Sequence, residues 1–456
     1  MRMNETMPAI VQAQDMVSDA EKLRALPWSL AQGVLNTFFA MWTFTGSPFL
    51  LFMRELGLPN GQIGLLLSLF PFCGLLALGF APIAARWGRK YVFLACYGSR
   101  KFVMAALLLL PWTLAMGGHG AGMVVLIAVI SVFALLRALA ETAYYPWSQE
   151  FIPNHVRGKY TGLSSVLSMV ASTLAVLIAG WVIGSGTGLS RFLLLIGAGC
   201  LLGVLGVAAM AWVPGGRPRR AELPGAHASN ILEALHDRNL VAYLGGLGAV
   251  TMGTLFLTSF LPLFVKERLG IASETVVMLD AAVMVGGGLS SLLWGVVSDR
   301  VGSRPVLMSS VALGLLIPLG WLLLPRRGAH VLVWCILLYG AYGVVNGGIA
   351  IATLRLLFNG VIPPGRSTAY NAIYYAWIGL TGGLAPLLAG GILSGGEGWH
   401  GRLGLLVLDA YTLVFLLCLL LLIAGWVLFQ RVKPDDRYTT RALLRCLLRR
   451  EPLGDR

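Results

Sequence analysis

Long apolar runs alternate with short polar breaks along almost the whole chain. A helix needs about 20 residues to cross about 30 Å of hydrocarbon. Runs that reach this length lie at 28–53, 62–85, 91–115, 121–146, 159–184, 191–213, 239–264, 274–298, 304–324, 330–357, 367–394 and 404–430. The pattern predicts an all-α membrane protein with twelve transmembrane helices, called spans 1 to 12 below.

One break is longer than the rest. Pro214-Gly215-Gly216-Arg217-Pro218-Arg219-Arg220 opens a basic linker over 214–238, with a short helix expected at Ile231–His236. The expected organisation is an N-terminal segment 1–27, a bundle 28–213, the linker 214–238, a second bundle 239–431 and a basic tail 432–456. The two bundles read as copies. Ile152-Pro153, Tyr160, Ala175, Leu177, Ala179 and Gly180 recur at one constant offset as Ile362-Pro363, Tyr370, Ala385, Leu387, Ala389 and Gly390. Gly88 and Gly302 each follow an even-numbered span. Proline and tyrosine matches are not what a shared Leu/Ala/Gly composition would produce by itself.

Composition adds to this picture. Of 456 residues, 57% are hydrophobic and 12% charged, against roughly 25% charged in soluble domains. The net charge of +14 does not gather on a soluble module, so a nucleic-acid partner is not expected. The basic residues sit between spans. Alternating the loops places about 23 Lys/Arg on one face and about 7 on the other, which puts both termini and the linker in the cytoplasm of a cell (inner) membrane protein. The first 27 residues are mixed polar, unlike a cleavable signal peptide. The six cysteines are far apart, without Cys-x-x-Cys or Cys/His ligand spacing, so no metal or cofactor is expected.

Between spans 8 and 9 the chain reads Gly295-Val-Val-Ser-Asp299-Arg300-Val-Gly302-Ser-Arg304-Pro305. This resembles the G-x-x-x-D-R-x-G-x-R loop signature of the major facilitator superfamily, and the twelve spans in two repeats fit that family's architecture. In the first half Ala81 and Ala85 replace the glycine and the acid, followed by Arg86, Gly88, Arg89 and Lys90. Glu150 and Arg157 flank Pro153 in a spacing similar to the family's loop between spans 4 and 5. Its second-half counterpart is Asn359 and Arg366. The resemblance covers 28–430 and implies two pseudo-symmetric six-helix bundles, alternating access and a single-chain monomer. It implies gating roles for Arg86, Arg89, Glu150, Arg157, Gly295, Asp299, Arg300, Gly302, Arg304 and Arg366. Drug/proton antiporters of the family carry G-P-x-x-G-G in span 5; here span 5 has no proline. A similar string, Gly382-Gly383-Leu-Ala-Pro386-Leu-Leu-Ala-Gly390-Gly391, stands in span 11.

The resemblance further implies that spans 1, 4, 7 and 10 line a central cavity. Independently, Gln32, Asn36, Thr43 and Ser47 share a stripe on span 1, Thr251, Thr254 and Thr258 on span 7, and Tyr342, Asn346 and Thr353 on span 10. Spans 5 and 11 add Ser165, Ser168 and Ser172, and Tyr370, Tyr374 and Thr381. Such residues line a cavity or bond neighbouring helices. Ionisable residues within spans say more, since each Arg, Lys or Asp at mid-helix costs roughly 2.5–3.5 kcal/mol. Arg137 and Glu141 are one turn apart and able to pair. Arg355 lies late in span 10. Arg100 and Lys101 sit side by side on span 3, a span expected to face outward, and the sequence offers them no partner. Glu141 and Asp280 are candidates for proton coupling, and Asp409 is expected inside span 12 as part of an ion pair.

Candidate substrate-binding residues are therefore Asn36, Thr43, Arg137, Glu141, Thr254, Tyr342, Asn346, Arg355 and Tyr374. The surplus of cations within the spans points to a solute with an anionic group. The leading reading is a secondary or facilitative transporter of a small organic solute, with protons as coupling ion. Efflux of amphipathic compounds is a second reading. A third, from another class, is a non-transporting membrane sensor or assembly factor. No nucleophile–base pair suggests an enzyme. The tail, with Arg441, Arg445, Arg449 and Arg450 around leucines, reads as a helix lying on anionic lipids.

Overall fold

The computed structural model describes residues 18–218, 233–326, 328, 330–363, 367–399, 401–403 and 406–435, with the course of the helix alone over 76–85 and 367–369 and of the strands at 402, 403 and 406. The expected tail helix and Arg366 lie outside the described residues, as does the start of the expected Ile231–His236 helix.

The chain is an all-α membrane protein whose helices account for all twelve spans. Span 1 begins at Asp19, not at 28, because Ser18 caps the helix by accepting the Glu21 N–H at 3.2 Å. Its polar start therefore extends the helix beyond the apolar stretch. Span 1 also breaks after Thr43 and resumes as Gly46–Glu55. Span 7 repeats that break, with Arg238–Thr258 followed by Leu261–Glu267. Spans 3 and 4 join almost without a loop, and one residue, Gly118 at φ 68°, turns the chain. Span 12 is shorter than its apolar run. An antiparallel hairpin, Gly401–Leu403 with Leu406–Leu408, precedes a helix over Ala410–Phe429. Asp409 is thus the helix cap, not a residue within the span. Its carboxylate accepts the Thr412 N–H at 2.9 Å and the Arg326 guanidinium at 2.7 Å.

Each half packs in the same way: span 1 on 5 and 6, span 2 on 4 and span 3 on 4 and 6, mirrored by 7 on 11 and 12, 8 on 10 and 9 on 10 and 12. Hydrogen bonds tie the corresponding pairs of spans in both halves, 1 with 5 and 7 with 11, although the tryptophan donor stands on span 1 in one half and on span 11 in the other. Trp42 Nε1 donates to the Ala175 carbonyl at 2.8 Å and Trp377 Nε1 to the Leu244 carbonyl at 2.7 Å. Tyr160 meets Ser29 at 2.7 Å, as Tyr370 donates to Asp237 at 2.8 Å. Gly88 and Gly302 sit at φ 94° and 100° between consecutive spans, a left-handed turn that a side chain would strain.

The halves meet through spans 2 with 11 and 5 with 8. Polar contacts between them gather at the membrane face opposite the linker. The Arg54 guanidinium pairs with Glu267 at 2.7 Å, the Gly61 N–H donates to Ser394 Oγ at 2.7 Å, and the Ser47 N–H donates to Asp280 Oδ2 at 2.9 Å. Towards the linker face Tyr145 and Tyr375 stand exposed.

Candidate functional site

Two breaks in helix geometry create the central cavity. Where spans 1 and 7 pause, Thr45, Gly46 and Ser47 on one side face Thr258 and Ser259 on the other. These residues, with Asp280 of span 8 and Tyr339, Tyr342 and Asn346 of span 10, line a cavity of about 540 Å³. That volume suits a small organic ligand. The rest of the wall is apolar, including Leu50, Leu67, Leu255, Met284 and Ile378. Asp280 is the one charged residue in this lining. It stands seven residues into span 8 (Ser273–Val301), about 10 Å below the far end at 1.5 Å per residue. Tyr339 Oη is buried and has no hydrogen-bond partner among the described residues.

At Pro71 and Ile378 this cavity meets a second one, of about 420 Å³, on the linker side. Arg137, Glu141, Thr142, Tyr145 and Tyr375 line it. Arg137 Nε donates to Glu141 Oε1 at 2.8 Å, so the turn-apart spacing is used for an ion pair that faces the cavity. The two cavities form one path from Asp280 towards the linker face.

Of the residues singled out from sequence, the structure brings Arg137, Glu141, Asp280, Tyr342 and Asn346 to this path. Thr254 lies behind it, in a small void shared with Tyr342 and Asn346, and its hydroxyl donates to the Val250 carbonyl at 2.7 Å. Thr43 is fully buried, bonded to the Phe39 carbonyl at 2.6 Å and packed on Gly199 of span 6. Tyr374 is buried beside Tyr243, and its neighbour Tyr375 takes the cavity position. Arg355 pairs with Asp299 near the linker end of span 10. Thr43 and Tyr374 sit away from the cavity because helix rotation, which stripe counting leaves free, turns them elsewhere. Arg355 sits in the last turn of span 10, beyond the lining residues Tyr342 and Asn346.

Asn36 has a different task. Its Oδ1 accepts hydrogen bonds from Arg100 Nη2 and Lys101 Nζ, each at 2.9 Å. Both cations are almost fully buried, and among the described residues neither contacts a carboxylate. Aromatic faces supply the remaining stabilisation. The Arg100 guanidinium lies 3.6 Å from the Tyr97 ring centroid, and Lys101 Nζ lies 3.3 Å from that of Phe39. Gly203 of span 6 makes the room, because a methyl there would stand 2.9 Å from Lys101 Cδ. Span 3 turns these side chains inward, against the expectation of an outward face.

The signature residues tie helix ends within each half. Arg89 pairs with Glu150 at 2.5 Å, Glu150 Oε2 also accepts the Gly216 N–H at 2.9 Å, and Trp147 Nε1 donates to the Pro214 carbonyl at 2.9 Å. The linker is thus strapped to spans 3 and 4. In the other half Asp435 accepts the Ser303 and Arg304 N–H groups at 3.1 and 3.3 Å, and the Arg304 side chain donates to the Gln430 carbonyl. Asp435 supplies the acid that counting within the signature missed. Arg157 donates to the Gln149 and Ile152 carbonyls, at 3.3 and 3.2 Å. Arg86 and Arg300 are exposed on the linker face, and Gly295 lies partly exposed on span 8. Sequence reading also missed Tyr339, Tyr145, Tyr375 and the Arg54–Glu267 pair. Only the last carries a visible signal, a charged residue at the far end of each broken span.

Two broken helices face each other across the central cavity, in halves related by pseudo-symmetry. The family model of the Major Facilitator Superfamily matches residues 33–386 and 244–452, and the chain belongs to that superfamily. Autophagy-related protein 22-2 of Emericella nidulans is 28% identical over 175 residues, 36% of this chain and 29% of that protein. The ectoine/proline transporter ProP of Corynebacterium glutamicum is 24% identical over 154 residues, 34% of this chain and 30% of that protein. The chain therefore spans less than a third of the length of these curated relatives. Among solved structures, a D-xylose-proton symporter superposes with TM-score 0.68 at 15% identity, covering 92% of this chain and 100% of its own. A bacterial homologue of the iron transporter ferroportin, in an inward-facing state, gives 0.64 at 13%, covering 91% and 99%. At such identities the likeness concerns the fold.

Proposed function

We propose that the chain carries a small organic solute across the cell (inner) membrane by alternating access, coupled to protons through Asp280. The observation that supports this most is the placement of Asp280. One carboxylate lines an otherwise uncharged cavity and also accepts a hydrogen bond from Ser47 of the opposite half. Protonation weakens that bond, because a neutral carboxyl accepts a hydrogen bond less strongly than a carboxylate does. Proton occupancy and opening of the far side are thereby linked, as halves rock about a central site. The excess of basic loops on the linker face orients that face and both termini to the cytoplasm, which makes the described conformation inward-facing. Both walls of the cavity come from one chain, so a monomer suffices.

Purified protein in proteoliposomes, given an inside-alkaline pH gradient, tests the reading. Labelled proline, ectoine and xylose, the solutes named for proteins it resembles, form the first panel, followed by amphipathic amines and acids. Uptake driven by the gradient and abolished in Asp280→Asn is expected. Gradient-driven uptake that survives in Asp280→Asn would remove the coupling role, and absence of flux across the panels would favour a sensor.

A further inference from the structure

Counting charges in the spans favours an anionic solute; the structure reverses that preference at the cavity. Arg137 is neutralised by Glu141, Arg355 by Asp299, and Arg100 and Lys101 are withdrawn behind Asn36 and two aromatic rings. The far cavity keeps a single charge, the Asp280 carboxylate, and among the described residues no Lys or Arg reaches it within ion-pair distance. Tyr339 Oη, buried in the same lining, has no hydrogen-bond partner among the described residues, and the Ser47 hydroxyl stands beside the carboxylate. The carboxylate only accepts, and a hydroxyl beside it that donates its own proton still has lone pairs free, so the set has acceptor capacity for a further donor. The Tyr339 and Tyr342 rings and the apolar wall suit the body of a cation.

We infer that this cavity takes a solute bearing a protonated amine on an apolar body, its ammonium held by Asp280 and the hydroxyls of Ser47 and Tyr339. The inference rests on the reading of this cavity as the solute site. Proton and ammonium then compete for one carboxylate. The groups facing Asp280 are hydroxyls from spans 1 and 7 (Thr45, Ser47, Thr258, Ser259) and Tyr339 and Tyr342 from span 10. Besides Asp280, the ionisable groups of this lining are those two phenols.

Three probes with one body separate the possibilities: 4-phenylbutylamine, 4-phenylbutanol and 4-phenylbutyrate. Their binding to the full chain in nanodiscs is measured by calorimetry at pH 8 and pH 5. The amine should bind roughly ten- to hundredfold tighter than the alcohol at pH 8, the range of one charge-assisted hydrogen bond, and butyrate weakest. Its advantage should shrink at pH 5 while alcohol affinity stays constant. In Asp280→Asn the advantage should vanish with alcohol binding retained, which also reports intact folding. Should that variant not fold, the wild-type pH comparison decides alone. Equal affinity for amine and alcohol, tighter butyrate, or an amine preference unchanged by pH would overturn the inference. Amine binding without gradient-driven amine flux would leave the site in place and remove the proton coupling. Coupled flux of another solute, lost in Asp280→Asn, would do the reverse.

Discussion

Arg54 of span 1 and Glu267 of span 7 meet at 2.7 Å across the two halves, each at the end of the short helix that follows its span's break. Tyr411 adds a hydroxyl to the same glutamate at 3.4 Å. The pair closes the far face above the cavity, where the halves must part for the site to change sides. Arg54→Ala should raise the rate at which an impermeant maleimide reaches a cysteine placed at Thr258 from the far side. The exchange Arg54→Glu with Glu267→Arg should restore slow labelling. Labelling that does not change in Arg54→Ala would assign closure to the Ser47–Asp280 and Gly61–Ser394 contacts instead.

Asp299 pairs with Arg355 inside the second half, so the two should act as a unit. Asp299→Asn and Arg355→Ala should each reduce flux several-fold at unchanged expression, and the double variant should be no worse than either, since coupled residues are not additive. Additive losses would separate the roles and return Arg355 to the solute path.

Asn36 is the shared acceptor of two buried cations. Asn36→Ala should lower the unfolding temperature, because an unsatisfied buried polar group costs about 1–3 kcal/mol. Lys101→Met should be tolerated, since exchanging a buried charge for an apolar chain of similar length is often neutral. Thermal unfolding in detergent measures both. A larger loss in Lys101→Met than in Asn36→Ala would mean that the ammonium itself is required.

Arg137 and Glu141 face the linker-side cavity as a pair. Arg137→Ala and Glu141→Ala should each reduce flux, and the double change should recover part of the loss, because each single change leaves the other, half-buried charge without its partner in the cavity wall. Failure to recover, with folding intact, would place Arg137 in direct contact with the solute.

Asp409 provides a pH dependence with a definite sign. Burial by itself raises its carboxyl; the Arg326 guanidinium and the Thr412 N–H and hydroxyl outweigh that and hold it below the ordinary value. A depressed folded value adds stability above the ordinary carboxylate range, near ~3.9, and that stability is lost as pH falls further. Asp409→Asn should therefore unfold at lower temperature at pH 7 and lose less on acidification below about pH 4. Parallel pH profiles for the two proteins would show that Asp409 contributes no linkage.

Much of this protein is written locally in its sequence. Span length, the constant offset between Ile152-Pro153 and Ile362-Pro363, and the left-handed turns at Gly88 and Gly302 need no tertiary information, because the bilayer forces each apolar run to satisfy its backbone within one helix. The Arg137–Glu141 pair was legible for the same reason, as both residues lie on one turn of one helix. What the sequence leaves open is the rotation of each span about its axis and which span lies beside it. Those two quantities turned Thr43 and Tyr374 into the packing and brought Tyr339 and Tyr375 to the cavity. They also folded Arg100 and Lys101 inward onto Asn36 in the space left by Gly203. The charge of the cavity belongs to the same group. The composition of the spans is rich in cations, yet charge acts at the distance set by packing. Only the assembled bundle decided that Arg137 and Arg355 each meet a carboxylate, that Arg100 and Lys101 share Asn36, and that Asp280 is the charge facing the far cavity.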